Sequence, residues 1–118
     1  MRTNSKRYLF PEASIPEGAD FGIRVAGDSM EPVYHDGQIV WVQKCDRIDI
    51  GAVGIFVYDG DGYIKVFDER IPEQEDREYF TDSYGVLHNQ PVLVSYNKKY
   101  APRIISAEKS FQIVGQVL

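Results

Sequence analysis

The sequence predicts a single mostly-β domain with short helices or none, a compact β-sheet fold. Three observations lead there. Helical periodicity is nearly absent along the 118 residues. Short runs rich in Val, Ile, Phe and Tyr recur instead, separated by Gly, Asp, Asn and Pro, the composition of strands and the turns between them. Finally, "VGIFVYDGDGYIKVF" sets Asp59-Gly60-Asp61-Gly62 between two β-prone runs. That is a tight-hairpin signal, because Gly and Asp tolerate the positive φ such turns need.

Residues 1–21, with Pro11, Pro16 and Gly18, read as an extended arm, and the domain proper is expected over 22–118. Strands are expected at Ile23–Ala26, Gln38–Lys44, Val53–Tyr58, Tyr63–Asp68, Val92–Tyr96 and Phe111–Val117. "EYFTDSYGVLHNQ" has room for one or two shorter ones. "DERIPEQEDRE", six acidic and two basic residues around Pro72, reads as a solvated loop at a sheet edge. Asp59 and Asp61 also fit the start of a calcium loop, but the remaining ligand pattern and the flanking helices are missing. No metal and no cofactor are expected.

The bulk numbers exclude several function classes. With 43 % hydrophobic and 26 % charged residues, the chain has the composition of a soluble globular domain. A net charge of −5 repels phosphate backbones, so this chain alone is expected to bind duplex DNA negligibly. Its basic clusters, Arg2/Lys6/Arg7 and Lys98/Lys99, are small. The single cysteine, Cys45, reads as a reduced thiol, in keeping with a cytoplasmic protein. No apolar stretch is long enough to span a bilayer, and "MRTNSKRYLFPE" lacks the apolar core of a secretory signal.

The chemistry centres on "VAGDSMEPVYHDGQIVWV", where an apolar run breaks at Gly27-Asp28 and exposes Ser29. A polar-capped turn is one reading, and a presented nucleophile is the other. A serine nucleophile needs a base. His35, in the turn "YHDG", and His88, in "GVLHNQP", have no sequence context that orients them through a carboxylate. Lys65 is the other option. Strand alternation puts it on one face with Tyr63 and Phe67, with Ile64 and Val66 on the other. Burial there lowers a lysine's pKa, as a general base requires. The competing reading is an exposed Lys whose stem lies over the rings and whose head reaches water.

Taken together, these residues resemble the autoproteolytic domain of LexA-like repressors, phage repressors and UmuD-like proteins, a branch of the serine–lysine peptidases that includes signal peptidase. The resemblance rests on Gly27-Asp28-Ser29-Met30 with Glu31-Pro32, then Asp36-Gly37-Gln38-Ile39-Val40, and Lys65 36 residues beyond Ser29. Asn97 and Tyr100 in "YNKKYAP", then Gly115-Gln116-Val117, look like its closing elements. It covers roughly residues 22–118. The resemblance implies Ser29 as nucleophile, Lys65 as general base and self-cleavage through an acyl-enzyme. Gly27, Asp28 and Met30 then form the turn, with the backbone N–H groups at Ser29 and Met30 as oxyanion donors and Asp28 shaping the turn rather than completing a triad.

The chain departs from the family in carrying no helix-turn-helix, and the usual Ala-Gly or Cys-Gly scissile bond would fall before Met1. Its only Ala-Gly pair, Ala26-Gly27, lies inside the nucleophile turn. The implied role is the C-terminal regulatory and dimerisation domain of a LexA-type or prophage repressor. In the full-length parent, a RecA filament would stimulate cleavage and DNA would be bound only by an N-terminal domain. A non-catalytic dimerisation or sensing module is the alternative, and a signal-peptidase-like processing enzyme a third. A homodimer is expected through Ile113–Leu118, because "SFQIVGQVL" is apolar, β-prone and nearly uncharged, and an exposed strand of that kind pairs with another copy. Val117 is expected to face outward.

Overall fold

The structure is a computed structural model and describes residues 14–118. Seven antiparallel strands form one sheet: β1 Phe21–Arg24, β2 Ile39–Lys44, β3 Val53–Tyr58, β4 Asp61–Arg70, β5 Gln90–Val94, β6 Arg103–Ile104 and β7 Phe111–Val117. Their order across the sheet is β1-β2-β7-β3-β4-β5-β6. The mostly-β expectation therefore holds. The assignment of residues 1–13 to an arm lies outside the described residues, while Asp20 already donates to Val42 O of β2 at 2.8 Å and Phe21 opens β1.

Alternation along the strands produces two cores. Ile55 of β3 joins Val25, Val40, Val42 and Val117 in one cluster, with Ile64 of β4 packed against it. Its sequence neighbours Phe56 and Tyr58 join Phe67, Leu93 and Ile105 in the other, with Tyr63 alongside. Successive side chains leave a strand on opposite faces, so the central strands are covered on both sides. Each large apolar side chain fully buried in this way contributes about 1.5–3 kcal/mol.

The β3–β4 hairpin forms where "DGDG" predicts it. Tyr58 pairs with Asp61, leaving Asp59 and Gly60 as a two-residue loop with φ of 51° and 86°. Two positive φ values give the turn whose twist matches antiparallel strands. β4 then runs for ten residues, pairing with β3 up to Val66 and with β5 from Val66 to Arg70. Lys65 sits opposite Gly54 on that hairpin.

Several expectations need correction. The acidic run is not one loop: Asp68–Arg70 extend β4, and Gln74–Phe80 form a 3₁₀ segment. Beyond it a single bridge, Thr81 to Leu87, replaces the extra strands allowed for there. β6 was not anticipated. β1 begins two residues earlier than expected and ends at Arg24.

The largest difference concerns the C-terminal strand. β7 lies inside the sheet, paired to β2 on one side and to β3 on the other. Its backbone therefore offers no open edge to a second copy. Val117 points into the first core at 9 % exposure rather than outward. The close approach of β2 explains Gly115, where an added Cβ would sit 2.5 Å from Val42 Cγ1 and 2.6 Å from Gln43 O. An uncharged apolar run reads the same for an edge strand and a central one, because strand order depends on partners distant in sequence.

Candidate active site

The nucleophile turn is built from three local devices. Gly27 takes φ = 82°, a left-handed conformation that a side chain disfavours, and its N–H donates to Asp36 Oδ1 at 2.7 Å. Asp28 O accepts the Glu31 N–H at 3.2 Å, while Met30 O accepts those of Val33 and Tyr34 at 3.1 and 3.0 Å. The Met30 side chain is fully buried and pins the turn to the body of the domain. Ser29 is thus held between a flexible-backbone glycine and a buried anchor.

Lys65 Nζ lies 2.7 Å from Ser29 Oγ. The lysine is half-buried, and its pKa is lowered, first by burial and then by the positive charge of Arg103. Arg103 itself lies over the Tyr63 ring, 4.8 Å from its centroid. The cation seated on Tyr63 is therefore the arginine and not Lys65. The exposed-lysine reading does not fit this geometry.

The pair opens into a cavity of about 640 Å³ whose wall includes the apolar Ile23, Ile55 and Ile64. Ser95, 4 % exposed, also lines it. A hydroxyl within hydrogen-bond reach of an amine that favours its neutral form is the arrangement of an activated serine. Among the described residues, the N–H groups of Ser29 and Met30 enter no backbone–backbone hydrogen bond of the turn.

The histidines stand elsewhere. Contrary to expectation, both meet carboxylates: His88 Nε2 lies 2.7 Å from Asp82 Oδ2, and His35 Nδ1 lies 3.4 Å from Glu31 Oε1. Both are exposed surface pairs, and neither histidine lines the cavity.

Asp28 has a role that local sequence does not reveal. Its Oδ1 accepts the Tyr100 hydroxyl at 2.5 Å and its Oδ2 pairs with Lys99 Nζ at 2.7 Å. Asn97 completes the contact, its Nδ2 donating to Asp28 O at 3.1 Å and its backbone N–H to Ser29 O at 3.0 Å. The hydrogen bond from Lys99, then that from Tyr100, holds the Asp28 carboxyl below its ordinary pKa. Four bonds thus tie the β5–β6 loop to the turn, fixing Ser29 from its backbone side.

Tyr100→Phe is expected to slow covalent labelling of Ser29 by about tenfold, since small misplacements of a reacting group are costly in rate. The thermal midpoint should hardly move, because the Asp28–Tyr100 contact is exposed. Unchanged labelling kinetics would remove the clamp from the site's function.

The peptidase S24-like family matches residues 1–80, a span that contains the Ser29 turn and Lys65. This chain belongs to that family. No curated protein matches it. The S24-like match ends at Phe80, so in this S24-like domain the Asn97–Tyr100 clamp and strands β5 to β7 are placed by the structure alone. Membership secures the LexA- and UmuD-like relationship and the peptidase-related character of the domain. Among the described residues, no helix is long and apolar enough to cross a membrane.

Proposed function

We propose that this S24-like domain is the regulatory and dimerisation part of a LexA-type or prophage transcriptional repressor, carrying a latent serine–lysine protease that cuts its own chain. The observation that carries the protease is the 2.7 Å separation between Lys65 Nζ and Ser29 Oγ beside a largely apolar cavity. In the charged state the ammonium donates to Oγ. Once neutral, its lone pair accepts the Ser29 proton across the same separation. Oγ then attacks the peptide carbonyl, and the N–H groups of Ser29 and Met30 stabilise the oxyanion. Collapse breaks the C–N bond as the lysine ammonium returns its proton to the leaving amine. A water, deprotonated by the same lysine, hydrolyses the acyl-enzyme and frees Ser29.

The rest of the role is supported by the net charge of −5, which disfavours DNA contact by this domain, and by the resemblance to LexA-type repressors, whose operators are two-fold. Operator contacts belong to a separate DNA-binding domain, dimerisation belongs here, and a RecA filament would be the stimulus in the full-length parent. The test is a small uncharged serine-directed phosphonate followed by peptide mapping. An adduct on Ser29 is expected. Its absence between neutral and alkaline pH would leave a non-catalytic dimerisation module.

A further inference from the structure

We infer that Ser95 is the water-positioning residue of the site: its hydroxyl holds, against Lys65, the water that hydrolyses the acyl-enzyme. The inference rests on the peptidase reading and concerns its second step.

Ser95 and Gln90 are the buried polar residues among those described, at 4 % and 3 % exposure. A buried polar group is costly unless hydrogen-bonded, so each needs a partner. Gln90 has two: its Nε2 donates to Ile105 O at 2.8 Å, and its Oε1 accepts the Arg70 Nε–H at 2.9 Å. Ser95 is different. Among the described residues, no side-chain hydrogen bond engages its hydroxyl. Every fully buried side-chain N or O atom of the described residues has a partner, so the Ser95 oxygen keeps open space beside it. The space that Ser95 lines is the cavity.

The sheet sets this hydroxyl next to the base. Val66 of β4 pairs with Val94 at the end of β5. One step further along the antiparallel strands, Lys65 stands across from Ser95, and residues opposite each other point to the same side of a sheet. Both line the cavity with Ser29. The Lys65 amine reaches Ser29 Oγ at 2.7 Å and makes no direct bond to Ser95, which leaves a gap of the kind a water bridges. Nearby, Ile55, Ile64 and Ala101 present side chains without donor or acceptor, and the Tyr100 hydroxyl is taken by Asp28. A water needs at least two polar partners to stay in such a place. Lys65 and Ser95 supply them.

The step balances. With the acyl group on Ser29 Oγ and Lys65 neutral, one O–H of the water donates to Nζ and the other to Ser95 Oγ. An oxygen lone pair is then free for the acyl carbon. Attack forms the new C–O bond as Nζ takes the first proton. Collapse breaks the bond between the acyl carbon and Ser29 Oγ, which recovers that proton from the ammonium, and the acid product leaves. Ser95 neither gains nor loses an atom. Its part is orientation, and misplacing a reactant by an ångström costs up to about 10²-fold in rate.

Acylation does not use this water, so the two steps separate in experiment. The unmodified chain and its Ser95→Ala, Ser95→Thr and Ser95→Val variants are acylated with p-nitrophenyl butyrate and freed of excess ester. Nitrophenolate release reads acylation, and intact mass spectrometry then follows loss of the acyl group from Ser29. Acylation rates should match across the set. The adduct should persist about tenfold longer in Ser95→Ala. Threonine restores a hydroxyl and valine copies its shape without one, so Ser95→Thr should deacylate faster than Ser95→Val. Added hydroxylamine, which attacks without the positioned water, should clear the adduct equally fast from every chain. Circular dichroism confirms that each variant is folded.

Equal adduct lifetimes in the unmodified and alanine chains overturn the inference, as does a threonine chain no faster than the valine one. A parallel fall in acylation overturns it too, since Ser95 would then act on the lysine in both steps. Phosphonate labelling of the unmodified chain reports on the peptidase reading separately. A Ser29 phosphonate adduct with normal deacylation in Ser95→Ala keeps the protease and discards the water site. Failure of both reagents to modify Ser29 in any chain discards the protease and this step with it.

Discussion

Lys65→Ala should reduce phosphonate labelling of Ser29 by about 10²- to 10⁴-fold, the range of general-base contributions, and should remove its rise toward alkaline pH. The sign follows from the charge state. Lys65 acts only when neutral, and burial together with the Arg103 charge lowers its pKa. Labelling should therefore rise with pH through that lowered pKa, at a pH below that of an ordinary lysine. Arg103→Leu, which removes the second cause, should shift the rise to higher pH. Labelling that is flat with pH, or that persists in Lys65→Ala, would assign the base elsewhere.

The same lysine links catalysis to stability. Below its folded-state pKa, the half-buried ammonium opposes folding, since the unfolded chain binds that proton more readily. Stability should rise as pH climbs from the folded to the unfolded lysine pKa. Lys65→Met should consequently melt higher than the unmodified chain near neutrality, with the gain fading in alkali. A site that sacrifices stability for reactivity behaves this way.

The sequence made the strands legible where alternation was clean: β2, β3 and β7 are found within a residue of their expected limits. It also offered Ser29 and Lys65 as candidates, the one from a break in a strand and the other chiefly through its spacing from Ser29 and the family resemblance, while only the structure brings Nζ to Oγ. What stayed hidden is through-space. The Asp28 contacts to Asn97 and Tyr100 join residues 69 and 72 apart, and nothing local to either end records the other. Arg24 and Arg103 lie 79 residues apart, and only the sheet brings its two edge strands, β1 and β6, to one cavity. The histidine–carboxylate pairs were missed for a related reason. Asp82 reaches His88 because it also accepts the N–H groups of Tyr84 and Val86, a turn whose shape a composition reading does not supply.

Val117→Asp should unfold the domain rather than split a dimer. Val117 lies in the first core against Val25, Val40, Val42 and Ile55, and pairs with Val42 across β2. A carboxylate placed there has no cation in the cluster to meet it. Uncompensated buried charge costs several kcal/mol, about 3–5 when a partner is missing, against a total stability of roughly 5–15 kcal/mol for a domain of this kind. The expected outcome is a large fall in melting temperature or loss of the cooperative transition. Leu118, half exposed at the end of the same strand, gives the contrast: Leu118→Asp should melt almost as the unmodified chain does. This difference also dictates how dimerisation is tested. With both edges of β7 already paired, a two-fold contact at this end must use side chains, and Gln112, Gln116 and Leu118 are the exposed ones. Sedimentation of Leu118→Asp at micromolar concentration should show monomers if the interface lies there. A folded variant that stays dimeric moves the interface to another face. If instead Val117→Asp stays folded, the placement of β7 between β2 and β3 is wrong, and an open C-terminal strand becomes available for pairing again.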